Sequence, residues 1–137
     1  MKRCANAIWK GSINKGHGNL TADSKVLKET PYSFNSRFKD SLGTNPEELV
    51  AAAHAGCFTM KVSANLSEAG FEPTELKTDC EITLDDGKIT ESHLVLKADV
   101  PGITNEKFDE LVQDAKKNCP ISAVLDTNIT LKYSLKK

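Results

Sequence analysis

An α+β fold is predicted by three features of the sequence: two segments with a helical apolar pattern, one clear pair of alternating strands between them, and further alternating runs at both ends. The order is strands, helix, hairpin, helix, strand. At 137 residues, with no Pro/Gly/Ser-rich linker and no internal repeat, the chain reads as a single domain spanning residues 1–137.

Each element has a local reason. Residues 3–10 alternate moderately, with Ala5, Ala7 and Trp9 on one side. Gly11 and Gly16-His17-Gly18 supply turns before a second extended run near Asn19 to Ala22, which predicts an opening hairpin. From Ser24 to Asp40 there is strand propensity without clean periodicity, and part of it reads as loop. Asn45-Pro46-Glu47-Glu48 is a helix start: Asn45 caps, Pro46 suits the first position, and Glu48 can bond back to the cap. Apolar or small residues then surround the helix axis on every side as far as Gly70, a natural stop. One layer of sheet cannot cover such a helix, so the pattern predicts burial against a second copy of the chain.

Leu76, Thr78, Cys80, Ile82 and Leu84 alternate with charged or polar residues, Asp85-Asp86-Gly87 turns the chain, and Leu94, Leu96, Ala98 and Val100 alternate again. Thr104 then caps a helix whose Phe108, Leu111, Val112 and Ala115 share one face. Cys119-Pro120 interrupts it, a short helical turn runs to Val124, and Ile129, Leu131, Tyr133 and Leu135 form a last strand.

Composition excludes several function classes. With 18 basic against 19 acidic residues the formal net charge is −1, which gives no field for nucleic acid. The longest apolar stretch, around Leu49 to Val62, is broken by His54 and Lys61 and falls short of the roughly 20 apolar residues of a membrane span. No apolar signal run follows Lys2 and Arg3, so a cytoplasmic location is expected. In a reducing compartment, Cys4, Cys57, Cys80 and Cys119 are catalytic or buried thiols sooner than structural disulfides, and their spacing offers no zinc site.

Taken alone, the thiols carry unequal signals. Cys80 lies on the apolar face of its strand and reads as a small buried hydrophobe, and Cys4 stands near a terminus. Cys57, in mid-helix, is open between core filler and nucleophile, because a nucleophile there needs a nearby cation to lower its pKa. The chain has two arginines, Arg3 and Arg37, and Arg37 sits among Phe34 and Phe38 just before the helix, where it is either that cation or a surface residue. Cys119 stands at a cap position before Pro120, which favours disulfide chemistry over core filling.

The ordered set Asn45-Pro46-Glu47-Glu48-Leu49, Ala52-Ala53-His54-Ala55-Gly56-Cys57-Phe58 and Asn118-Cys119-Pro120-Ile121-Ser122 closely resembles the OsmC/Ohr family of hydroperoxide-detoxifying proteins. Pro31-Tyr32-Ser33-Phe34-Asn35-Ser36-Arg37-Phe38 looks like the OsmC branch. The Ohr branch carries its arginine in the first hairpin, where this chain has His17 and no Arg. The resemblance implies an intertwined homodimer with two long central helices packed between β-sheets. It implies that Cys57 is the peroxidatic cysteine, Cys119 the resolving one, Arg37 the holder of the thiolate and Glu47 the carboxylate that orients Arg37. It further implies reduction of organic hydroperoxides or H2O2 in stress defence, with no metal or bound organic cofactor, and an external reductant. A lipoyl dithiol is expected there, with glutathione-type or thioredoxin-type donors as alternatives.

Glu47 and Cys57 are 57 − 47 = 10 residues apart, about 15 Å along one helix. Direct contact within one helix is therefore impossible, and Arg37 and Glu47 are expected to serve the Cys57 of a partner chain. Phe34, Phe38 and Phe58 are expected to exclude water from the site. His54 shares a helix face with Cys57, which suggests a general base, but with Arg37 already able to activate the thiol a backbone-bonded core histidine is the commoner outcome. The rival reading is non-enzymatic: an apolar dimer interface that binds a small molecule, or a thiol pair that senses oxidants.

Overall fold

The computed structural model describes residues 1–37 and 42–137. Phe38, named above as a water-excluding residue, lies outside the described residues. The chain divides into two compact units, residues 1–49 and residues 50–137.

In the first unit, β1 (Ala5–Lys10), β2 (His17–Ala22) and β3 (Thr30–Tyr32) form an antiparallel sheet in that order. The opening hairpin is present, and its second strand begins at His17. The described part of the aperiodic stretch, as far as Arg37, is turn and bend relieved by β3 and by a 3-10 turn, Asn35–Arg37; its end, residues 38–40, lies outside the described residues. Gly43, at φ +99, lies so close to Pro31 that a Cβ there would stand 1.9 Å from the Pro31 carbonyl oxygen. This lets the Thr44 N–H donate to that oxygen at 3.0 Å, which ties the start of the next helix to β3.

That helix, α1 (Pro46–Glu68), begins where the sequence places it. Asn45 Oδ1 accepts from the Glu48 N–H at 2.8 Å. The reciprocal half of the expected capping box is replaced: the Glu48 carboxylate accepts from Thr44 Oγ1 at 2.7 Å, a hydroxyl the capping rule does not consider. At the other end Phe71 N–H donates to Leu66 O at 2.9 Å and Gly70 N–H to Ser67 O at 3.0 Å, with Gly70 at φ +88. This paired closure caps carbonyls of the last turn and turns Phe71 back onto the core.

In the second unit, β4 (Glu75–Asp85) and β5 (Lys88–Asp99) form the predicted antiparallel hairpin. The helix α2 (Asn105–Asn118) then crosses to β6 (Asn128–Lys136), which lies parallel to β5. A strand's alternation is the same whichever way its neighbour runs, so the parallel pairing is a finding of the structure. Thr104 Oγ1 accepts from the Lys107 N–H at 3.2 Å and caps α2 as expected.

The core gathers Phe58, Val62 and Leu66 of α1, Leu94, Leu96 and Ala98 of β5, and Phe108, Val112 and Ala115 of α2. Thr59 Oγ1 donates to Thr78 Oγ1 at 2.6 Å, and Asn65 Nδ2 donates to Leu111 O at 2.9 Å and Asp114 Oδ2 at 2.8 Å, fixing α1 against β4 and α2. α1 buries one stripe in this chain, at His54, Phe58, Val62, Asn65 and Leu66, while Ala52, Ala53, Gly56, Met60 and Ala64 are exposed. The all-round apolar pattern thus exceeds what one chain covers. Phe58, expected to exclude water from the site, is fully buried in this core, against which Cys57 also packs. Its apolar ring is drawn into the layer between α1 and the sheet.

Candidate functional site

The predicted residues fall into two pairs, one in each unit. In the first unit the 3-10 turn is fixed by short polar bonds: Ser33 N–H donates to Ser36 Oγ at 3.1 Å, and Ser36 N–H to Ser33 Oγ at 3.2 Å. Asn45 Nδ2 donates to Ser36 O at 2.9 Å, so the residue that caps α1 also holds the turn that carries Arg37. Arg37 Nε lies 3.2 Å from Glu47 Oε2. That oxygen accepts no well-aligned hydrogen bond, so charge rather than hydrogen-bond geometry holds the pair.

Glu47 is the more enclosed partner, its side chain 16% exposed against 33% for Arg37. The carboxylate engages only Nε, so among the described residues the two terminal nitrogens of the guanidinium fork are uncommitted. A planar cation oriented by a carboxylate is suited to an anion. Beside it lies a cavity of about 200 Å³ lined by Trp9, Ile13, Tyr32, Ser33, Phe34, Arg37 and Pro46. Trp9 and Tyr32 pack with ring centroids 5.4 Å apart. Phe34, expected to exclude water from the site, lines this cavity. Trp9 and Tyr32 were not anticipated, because β1 and β3 meet only through β2.

In the second unit, Cys119 ends α2 and caps α3 (Pro120–Val124). Its Sγ accepts from the Ser122 N–H at 3.3 Å and lies 3.0 Å from Ser122 Oγ. Cys119 is fully buried and Cys57 is half-buried, and both are free thiols. They lie close enough to interact. Burial pushes the Cys57 thiol up, and both the hydrogen bond and the charge of Cys119 push it further; the Ile121 backbone alone opposes this.

His54 is fully buried, but not bonded to backbone as expected of a core histidine. Its Nδ1 lies 2.6 Å from Ser92 Oγ and its Nε2 2.8 Å from Ser122 Oγ. Ser92 Oγ is in turn 3.3 Å from Cys80 Sγ. Cys80, packed against the core as predicted, is pushed up by burial, with the Ser92 hydrogen bond opposing. A continuous polar line thus runs Cys57, Cys119, Ser122, His54, Ser92, Cys80. Sequence reasoning missed both serines. A serine on the apolar face of β5, between Leu94 and the strand start, was the available signal for Ser92.

Burial lowers the His54 pKa, because the interior disfavours the imidazolium. Folding stability is then full above about pH 6.5, where folded and unfolded rings are both neutral. As pH falls below that value the unfolded chain takes its proton first, and stability drops until the folded ring titrates too. The urea midpoint is expected to fall across this window, and His54→Gln to flatten that fall. An unchanged slope in the variant would place the acid sensitivity elsewhere.

Among the described residues no group of three His, Cys, Asp or Glu side chains could hold a metal ion, and no helix is long and apolar enough to cross a membrane. The protein is thus a mixed helix-and-sheet one that holds an Arg37–Glu47 pair in its first unit and two interacting free thiols, Cys57 and Cys119, in its second. Residues 38–134 match the OsmC-like protein family, and the chain belongs to it. It is 47% identical over 134 residues to peroxiredoxin OsmC of Escherichia coli (strain K12), covering 95% of this chain and 94% of that one. It is 30% identical over 122 residues to organic hydroperoxide resistance protein OhrB of Bacillus subtilis (strain 168), covering 87% and 89%. The higher identity sides with the OsmC branch. The crystal structure of an OsmC-like protein from Mycoplasma pneumoniae superposes with a TM-score of 0.76 at 13% identity over 100% of this chain and 99% of that one, which supports the fold. The role of the chain is of peroxidase type.

Proposed function

We propose that the chain reduces organic hydroperoxides, and H2O2, through a Cys57 sulfenic acid and a Cys57–Cys119 disulfide. The observation that carries this is the interaction of the two thiols across α1 and the α2–α3 junction. The Cys57 thiolate attacks the distal peroxide oxygen, the O–O bond breaks, and the alkoxide leaves to be protonated as an alcohol. Cys119 then condenses with the sulfenic acid, releasing water, and an external dithiol restores both thiols. A lipoyl dithiol is the reductant the family resemblance suggests.

The influences on Cys57 are mostly unfavourable to its thiolate, so a cation is required, and Arg37 with Glu47 is suited to supply it. Arg37 also stabilises the charge on the departing oxygen. The cavity of Trp9, Tyr32 and Phe34 beside Arg37 suits the alkyl part of a hydroperoxide. The working form is a homodimer, in which the exposed Ala52, Ala53, Gly56, Met60 and Ala64 stripe of α1 is covered by a second chain. The names of the E. coli and B. subtilis relatives support the substrate class.

The test is a thiol count. After one equivalent of cumene hydroperoxide, Cys57 and Cys119 are expected to disappear from the titration together, leaving Cys4 and Cys80 free, with intact mass showing an intrachain disulfide. Four thiols still titratable at micromolar peroxide would leave a binding protein on this scaffold.

A further inference from the structure

Disulfide closure needs the Cys119 proton to go somewhere, and Cys119 is fully buried. Among the described residues, the polar side chain that meets its sulfur, apart from Cys57, is Ser122, whose hydroxyl is 3.0 Å from Sγ and 2.8 Å from His54 Nε2. A serine hydroxyl both donates and accepts, so it can pass a proton without holding a charge. We propose that Ser122 and His54 form the proton acceptor of the resolving step, taking the Cys119 proton through the Ser122 hydroxyl onto His54 Nε2. This rests on the two-cysteine reading above.

The ring is prepared for that task. Burial keeps it neutral, with one nitrogen protonated and one open. When Nδ1–H donates to Ser92 Oγ, Nε2 is the acceptor that faces Ser122, and the Ser92 hydroxyl turns to the Cys80 sulfur. The groups packed around the ring are Ser92 of β5, Ser122 of α3, the Cys57 thiol one turn along α1, and, behind the serines, Cys80 of β4 and Cys119. Ile129 of β6, opposite Ser92, is apolar. Glu91 and His93 flank Ser92 on the strand but are bonded away from it, both through Thr130. No carboxylate touches His54 among the described residues, so the imidazolium is a transient that returns its proton.

The step balances. The Cys119 S–H bond breaks and its proton passes through Ser122 to Nε2. The Cys119 sulfur attacks the Cys57 sulfur and the S–O bond of the sulfenic acid breaks. The proton held on His54 completes the departing hydroxide to water. Cys119 is oxidised and the sulfenic sulfur reduced, with no further oxidant. Ser122 touches the reacting sulfur, and His54 acts through it as a positioning residue.

The experiment is rapid mixing of the full chain with one equivalent of cumene hydroperoxide. It follows Cys57 sulfenic acid by a dimedone-type trap and disulfide by acid-quench mass analysis, in wild type, His54→Gln and Ser122→Ala. The quantity read is the rate of closure divided by the rate of sulfenic acid formation. It is expected to fall roughly a hundredfold in both variants, the usual scale of lost general-base assistance. Between about pH 6 and 8 closure in the variants should climb about tenfold per pH unit, the hydroxide dependence of an unassisted thiol, while wild type stays shallow. If His54→Gln does not fold, Ser122→Ala decides. A wild-type ratio and slope in the variants, or a uniform fall without a change of slope, overturns the relay. Absence of trapped sulfenic acid in wild type sinks the peroxidase reading itself, and this step with it.

Discussion

Cys57→Ser is expected to lower peroxide turnover by at least about a thousandfold, because the attacking atom is gone and serine at neutral pH is a far weaker nucleophile. Cys119→Ser should look different. The sulfur that attacks is untouched, so the first equivalent of peroxide is still consumed and a sulfenic acid accumulates at Cys57, while turnover with a dithiol reductant falls or becomes erratic through overoxidation. The two variants therefore separate the steps: one abolishes the burst, the other keeps the burst and loses the disulfide. A coupled assay with a lipoyl dithiol, alongside mass analysis of Cys57, reads both. If Cys57→Ser retained more than about a tenth of wild-type turnover, the nucleophile would have to be another thiol. Cys80 would then be the candidate to examine, since it ends the polar line that begins at Cys57.

The elements that follow from short-range rules were legible in the sequence. Asn45 and Pro46 start α1, Gly70 stops it, and Asp86-Gly87 turns β4 into β5, each acting over a few residues. The Glu48 carboxylate shows the limit of such rules, since the hydroxyl of Thr44 outcompeted the backbone partner that capping would assign. The parallel seating of β6 was not legible, because alternation marks a buried face and not a direction. The candidate site divides in the same way. Cys57, Cys119, Arg37 and Glu47 stand in local motifs with a family likeness. The serines that hold His54 lie 38 and 68 residues away in the chain, and only the folding of β5 and α3 around α1 brings them to it. The aromatic wall of the cavity likewise needs β2 to place β1 and β3 on one sheet.

Arg37→Gln is expected to lower peroxide reduction by roughly a hundredfold or more, and Glu47→Gln by about tenfold, because the first removes the cation and the second only its orientation. A ten-residue step along one helix is about 15 Å, which keeps Glu47 from reaching the sulfur of its own α1. If Arg37 and Glu47 act on the partner's Cys57, the two defects are complementary. A chain carrying Cys57→Ser still offers its arginine, and a chain carrying Arg37→Gln still offers its thiol. Mixing them after mild unfolding and refolding gives statistical dimers, half of them mixed, each with one live site of two. Activity should then recover to about a quarter of wild type, from two parents that are each nearly inactive. Within one chain the same residues could not complement, and the mixture would stay at the mean of its parents. Recovery also requires the dimer, so a mixture without recovery that still contains heterodimers by mass assigns Arg37 to its own chain, and a monomer in solution removes the shared site.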